Sequence, residues 1–203
     1  MARDTGKFLE LLKPHYNNAL NYSRALCAKL DASEAEDVLQ ESLLKALENI
    51  DSLKDESRFR PWFFTIVTRE FCTHLRKRFW KRFLPIESHA SITEMPEIYS
   101  RHEQNDNRQQ LNIALGKLSA KERSAVLLFE IAGFSVEEIK GIQSERSLSA
   151  VKSRLSRART KLRKYITELE KKGSKIRFES SNIFEGDLTN ETIKLITEIE
   201  SGK

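Results

Sequence analysis

Apolar residues recur at three- and four-residue intervals through most of this sequence, the period of helices with one buried face. Phe8, Leu11 and Leu12 open such a stripe, which resumes through Leu20, Leu26 and Leu30. Ser33, followed three residues later by Glu36, has the form of a capping box and predicts a new helix start. Val38, Leu39, Leu43, Leu47 and Ile50 then keep one face apolar and leave Glu36, Asp37, Gln40, Glu41 and Lys45 on the others. A polar break at residues 51–57 precedes Phe59, Trp62, Phe63, Ile66, Val67, Phe71 and Leu75, which predict a third helix with Pro61 tolerated in its first turn. Residues 85–108 lose the periodicity and gain Ser, Thr, Pro, Glu and Asn, the composition of a linker. The helical pattern returns from Leu111, with capping boxes at Ser119/Glu122 and Ser135/Glu138. A last helix starts near Ser147 and aligns Val151, Leu155, Ala158 and Leu162 on one side.

The pattern predicts an all-α protein of two small helical domains, residues 1–84 and 109–170, joined by a flexible linker at 85–108. Residues 171–203 form a C-terminal extension in which a short extended piece precedes a helix from about Thr189. Composition agrees: 203 residues carry only 7 glycines and 4 prolines, too few for a turn-rich β-sandwich. No long apolar run suits a membrane span, Met1 to Glu10 lacks a signal-peptide layout, and a cytoplasmic, nucleoid-associated location is expected. Cys27 and Cys72 are too few for a disulfide framework and are expected as reduced thiols in or near the core.

Net charge is a mild +5, but its placement along the chain is uneven. Residues 31–56 hold nine acids against two bases, and residues 58–82 hold eight bases against one acid. A second block, 146–164, has eight bases and no acid. Two basic stretches so far apart suggest two separate polyanion contacts, since each neutralised phosphate releases counterions. Residues 133–159 run as a short capped helix, a polar turn and a longer basic helix, which is helix-turn-helix grammar. With Val151, Leu155 and Ala158 inward, Ser149, Ser153 and Ser156 face out, flanked by Lys152 and Arg157. Short hydroxyls permit close approach to base edges, while flanking bases suit phosphate or guanine. His15, His74, His89 and His102 are scattered and no glycine-rich phosphate loop occurs, so catalytic residues, metal ligands and cofactors are not expected.

Four segments in this order, ASEAEDVLQESLLKALENIDSL, SRFRPWFFTIVTREFCTHLRKR, LSAKERSAVLLFEIAGFSVEEI and AVKSRLSRAR, resemble bacterial RNA polymerase sigma factors of the extracytoplasmic-function type. The resemblance covers about residues 7–168 and implies a dissociable subunit that binds core polymerase, directs it to promoters and nucleates −10 strand opening. It implies that Glu36, Asp37, Gln40 and Glu41 dock on the β′ clamp helices, and that the second domain meets the β flap. An exposed acidic face suits a basic partner helix on physical grounds as well. For the −10 strand it implies Arg58, Phe59, Arg60, Trp62, Arg69, Thr73, Arg76 and Lys77, where aromatics offer stacking surfaces and arginines a backbone groove. At least half of Phe59, Trp62, Phe63 and Phe64 are nonetheless expected in the core, because their spacing spreads around the helix. For the −35 duplex it implies Ser149, Lys152, Ser153, Ser156 and Arg157. An anti-sigma factor is an optional further partner.

The sequence departs from the family pattern in three places. Arg69 and Thr73 stand where Asn and Asp are common, the turn at Gln143–Arg146 lacks the usual apolar anchor, and residues 171–203 have no counterpart. The alternatives are a polymerase-independent helix-turn-helix regulator binding as a dimer, and a decoy that binds an anti-sigma partner without DNA.

Overall fold

Eight α-helices succeed one another among the described residues of the computed structural model, which are 5–28, 30, 32–81 and 106–171. The first half is α1 (Thr5–Leu12), α2 (Tyr16–Leu26), α3 (Ala32–Glu48) and α4 (Phe59–Lys81), with two short 3₁₀ turns at Ile50–Ser52 and Glu56–Arg58. The second is α5 (Asp106–Gly116), α6 (Ala120–Glu130), α7 (Val136–Ile142) and α8 (Leu148–Lys171). The all-α class is as the sequence predicts. The predicted tail elements after Lys171 and most of the predicted linker lie outside the described residues, and α5 begins within the stretch read as linker, at Asp106. Among the described residues no helix is long and apolar enough to cross a membrane.

Local signals place the starts of α6, α7 and α8 and the end of α6. Ser119 accepts from the Glu122 N–H (3.3 Å) while Glu122 accepts from the Ser119 N–H (3.0 Å), and Ser135 and Glu138 repeat the exchange at 3.2 and 2.8 Å. Each box satisfies backbone donors that a helix start leaves unpaired. Ser147 accepts from the Ala150 N–H at 3.1 Å and starts α8. Helix α3 instead begins at Ala32, so Ser33 lies inside its first turn rather than at the cap. At the end of α6, Gly133 turns to φ +62°, and the Phe134 N–H returns to the Leu128 carbonyl at 2.9 Å. That closure needs a left-handed residue, which glycine supplies without strain, and it aims Phe134 back toward the first half.

Helix α4 organises the core because it is apolar on two sides. Phe59 packs on Phe8 and Phe63, with ring centroids 6.0 and 5.7 Å apart, and Tyr22 lies 5.3 Å from Phe64. Phe64 also meets Phe134 of the second half edge-on at 5.0 Å. The two halves therefore share one hydrophobic core along a seam where α2 meets α6 and α4 meets α7. The flexible joining predicted from sequence did not include this contact.

Polar groups fasten the same seam. Arg60 lies over the Phe134 ring at 4.1 Å and donates to the Ala132 carbonyl. Arg123 of α6, 5% exposed, donates to the Leu26 carbonyl at the end of α2 and to the Leu118 carbonyl at 3.3 Å. The Tyr22 hydroxyl bonds Thr68 at 2.9 Å and also Ser124 of α6, and burial holds its pKa well above the ordinary tyrosine value. Both cysteines are free thiols; burial pushes Cys27 up to about 12, which keeps it protonated and inert at neutral pH.

Truncating the ring that both Phe64 and Arg60 touch tests the seam. Phe134→Ala is expected to cost about 3–5 kcal/mol of packing, the usual cost of removing a buried phenylalanine ring. Small-angle scattering should then show a larger radius of gyration at unchanged helical circular dichroism; an unchanged radius would mean that the seam does not hold the halves together.

Candidate nucleic-acid and partner interfaces

The acidic set is an outer face of α3. Val38, Leu39, Ser42 and Ala46 are buried against the neighbouring helices, and the Ser42 hydroxyl donates to the Val38 carbonyl at 2.6 Å. Glu36, Asp37, Gln40 and Glu41 are thereby turned to solvent. Lys45, which could neutralise this face, is held by Glu70 of α4 at 2.6 Å. A shallow cleft of about 270 Å³ between α3 and α4 carries Asp37, Gln40 and Glu41 on one wall and Thr73 and Lys77 on the other. At its rim stands Leu44, 60% exposed, an apolar residue that the sequence reading did not include. Its signal was a leucine one position off the buried stripe, within an otherwise polar face.

The residues assigned to the −10 strand divide. Arg58, Arg69, Arg76 and Lys77 are exposed, and Thr73, half-buried, accepts from Arg76 at 3.2 Å. Trp62 is partly buried and shares with Arg58 a cleft of about 610 Å³ whose far wall is Glu138, Gly141 and Ile142 of α7. Phe59 is not on this surface: it is 1% exposed and stacked among Phe8, Phe63 and Trp62. Arg60 is engaged by the seam, and Arg69 reaches toward the Ser144 hydroxyl at 3.5 Å. Phe79 and Trp80, at the basic end of α4, are exposed with ring centroids 6.0 Å apart, an aromatic pair that the sequence set missed.

The −35 set is brought together on one face. Ser149, Lys152, Ser153, Ser156 and Arg157 are all exposed on α8, opposite Val151, Leu155, Ala158 and Leu162 in the core. The basic block behind them is less uniform than its sequence implies. Arg154 turns inward to Glu145 at 2.9 Å, Arg159 to Glu130 at 3.0 Å and Lys161 to Glu122 at 2.8 Å. Three of its eight bases thus fix α8 to α6 and to the preceding turn. Among the described residues no group of His, Cys, Asp and Glu has the arrangement of a metal site.

The turn itself is polar and ordered. Gln143 accepts from Arg154 at 2.6 Å and donates to the Lys121 carbonyl at 3.0 Å and to the Ser124 hydroxyl. Ser144 adopts φ +51°, and the Glu145 N–H closes on the Lys140 carbonyl at 2.9 Å. Polar anchoring takes the place of the apolar anchor that the sequence lacks.

Both halves of the chain are similar to known proteins. Residues 11–81 match Sigma-70 region 2, and residues 108–162 match Sigma-70, region 4. The chain is 34% identical over 132 residues to the ECF RNA polymerase sigma factor EcfG of Rhodopseudomonas palustris, a match spanning 65% of this chain and 71% of that protein. It is 31% identical over 164 residues to the RNA polymerase sigma factor YlaC of Bacillus subtilis, spanning 78% and 91%. Among solved structures, the sigma factor RpoE of Bartonella quintana, in complex with the anti-sigma factor NepR, superposes with a TM-score of 0.59 at 30% identity, covering 82% of this chain and 98% of that one.

The carboxylate that anchors both a cap and α8 gives a pH test. Burial alone would raise the Glu122 pKa, but Lys161 and the Ser119 N–H and hydroxyl outweigh it and hold the carboxyl below its ordinary value. A depressed folded-state pKa stabilises fully above the unfolded value, and that contribution is lost as pH falls through the folded value. Chemical denaturation between pH 6 and pH 3 should therefore show the native chain losing more stability than Glu122→Gln; parallel curves would remove Glu122 from the acid response.

Proposed function

The chain belongs to the extracytoplasmic-function family of RNA polymerase sigma factors, and we propose how its surfaces divide that family's work. The protein binds core RNA polymerase and directs it to promoters, and the bond-making chemistry is the polymerase's. The face of Glu36, Asp37, Gln40 and Glu41 docks on the basic clamp helices of β′, with Leu44 as an apolar contact at its edge. Complementary charge steers the encounter, and a desolvated leucine adds contact energy. Arg58, Trp62, Arg69, Arg76 and Lys77 track the opened −10 strand, and the face of Ser149, Lys152, Ser153, Ser156 and Arg157 reads −35 duplex.

The observation carrying this reading is the pairing of two exposed faces of opposite character. An acidic face lies on α3, where Lys45 is paired to Glu70, Arg24 of α2 stands 3.7 Å from Glu36 and Lys77 faces the acids across the cleft, and a face of hydroxyls and bases lies on α8. The polymerase-independent regulator would leave the α3 face without a partner, and family membership argues against it.

The free chain is a closed state of this factor. Phe134 covers Phe64 and occupies Arg60, Ser144 approaches Arg69, and α7 walls the cleft beside Trp62. Engaging two promoter elements at once requires α8 to leave this position, so polymerase binding opens the seam. An anti-sigma factor, as NepR is in its complex with the similar RpoE, would act on this chain by favouring the closed state.

Two substitutions test the assignment. Asp37→Lys places like charge against a basic partner and should weaken core polymerase binding by about tenfold or more in a fluorescence titration at fixed salt. Unchanged affinity would take α3 out of the interface. Arg157→Ala should cost about 1–3 kcal/mol in binding a promoter duplex; equal loss on every DNA sequence would identify a phosphate contact instead of base reading.

A further inference from the structure

A helix that reads base edges must be held at a fixed angle, because displacement of about 1 Å moves every contact at once. In this chain nothing apolar between Gln143 and Ser147 holds the start of α8. A polar network with Gln143 at its centre does so instead. The Gln143 amide uses both of its donors and its carbonyl: it donates to the Lys121 carbonyl (3.0 Å) and the Ser124 hydroxyl of α6, and accepts from Arg154 of α8 (2.6 Å). Arg154 is 9% exposed, so its guanidinium has little access to water if Gln143 lets go. Its other terminal nitrogen meets Glu145 at 2.9 Å, and Glu145 takes Lys121 at 3.1 Å, which closes a polar ring around the turn. Burial would raise the Glu145 pKa, yet Lys121 and Arg154 keep it below its ordinary value, so the ring stays charged at neutral pH. Within α8, Arg154 follows Ser153 directly and lies two residues before Ser156 and three before Arg157.

We propose that Gln143 is a positioning residue for duplex reading: by joining Lys121 and Ser124 of α6 to Arg154 of α8, it fixes the angle at which Ser153, Ser156 and Arg157 enter a major groove. The proposal rests on α8 being the −35 reader. It makes the unusual turn a device for precise placement, and it makes Gln143 a determinant of promoter choice that touches no DNA.

Gln143→Met, similar in volume and without an amide, tests it in the full chain by two readouts. Amide hydrogen exchange without DNA should quicken about tenfold or more across residues 144–150, since local opening no longer breaks the ring. Transcription by core polymerase reconstituted with each chain, on promoters randomised across the −35 element, should lose about tenfold in base preference at several adjacent positions together. Affinity for random duplex should stay unchanged, because Lys152 and Arg157 remain exposed. Gln143→Glu, which still accepts from Arg154, should recover part of the preference. The proposal is overturned if Gln143→Met keeps native exchange, or if exchange quickens while the −35 preference is retained. If the native chain itself shows no −35 preference, the reading of α8 fails and the proposal falls with it, and this result is distinct from the other two. Should Gln143→Met not fold, Arg154→Lys keeps a cation at Glu145 and removes the fork; an unchanged −35 preference in that variant overturns the proposal equally.

Discussion

Arg123 is a buried cation with no carboxylate beside it among the described residues; its terminal nitrogens are satisfied by carbonyls of both halves while its Nε stays without a partner, and that sharing ties the two halves together. Its guanidinium caps the last carbonyls of α2 through Leu26 and the turn after α5 through Gly116 and Leu118. The C-terminal end of a helix carries partial negative charge, so a guanidinium there is stabilised without an ion-pair partner. Burying it is tolerable only while both sets of carbonyls are present, which means only while the halves are docked. Phe64 makes the same demand in apolar terms, since one of its neighbours, Tyr22, belongs to the first half and another, Phe134, to the second. Opening the seam exposes aromatic surface and returns Arg123 to water, and the second of these offsets part of the cost of the first. The seam therefore costs less to open than its aromatic burial alone implies.

Much of the fold is legible in the sequence because it is written locally. The boxes at Ser119 and Ser135 and the cap at Ser147 depend on residues three apart, and all three form. Ser33 with Glu36 has the same spacing, but α3 begins at Ala32 and not at Glu34, so the local signal misplaces the boundary by two residues, within the usual variation of helix ends. The seam has no local signature. Arg60 meets Ala132 and Arg123 meets Leu26 across 72 and 97 residues of sequence, and no periodicity within one helix reports such a pair.

The candidate surfaces were legible where one face of a helix is plainly buried. Val151, Leu155 and Ala158 fix the orientation of α8, and all five residues assigned to the −35 duplex are exposed opposite them. On α4 the same logic fails, because a helix buried on two sides has no single polar face, and Phe59 is core where strand contact was expected. The basic block at 146–164 misleads for another reason. Arg154, Arg159 and Lys161 answer acids on α6 and in the turn, and charge counted along a chain does not distinguish a cation facing solvent from one facing Glu122, Glu130 or Glu145.

If the closed chain opens when polymerase takes it up, the distance between its halves must change. Fluorescent labels at Asn18 on α2 and Thr167 on α8, both exposed and outside every interface discussed, would report that separation by energy transfer. A single short distance is expected in the free chain, replaced by a longer one on addition of one equivalent of core polymerase without DNA. The same short distance in the polymerase-bound chain would show that the factor works with its seam closed, and the opening step would be wrong.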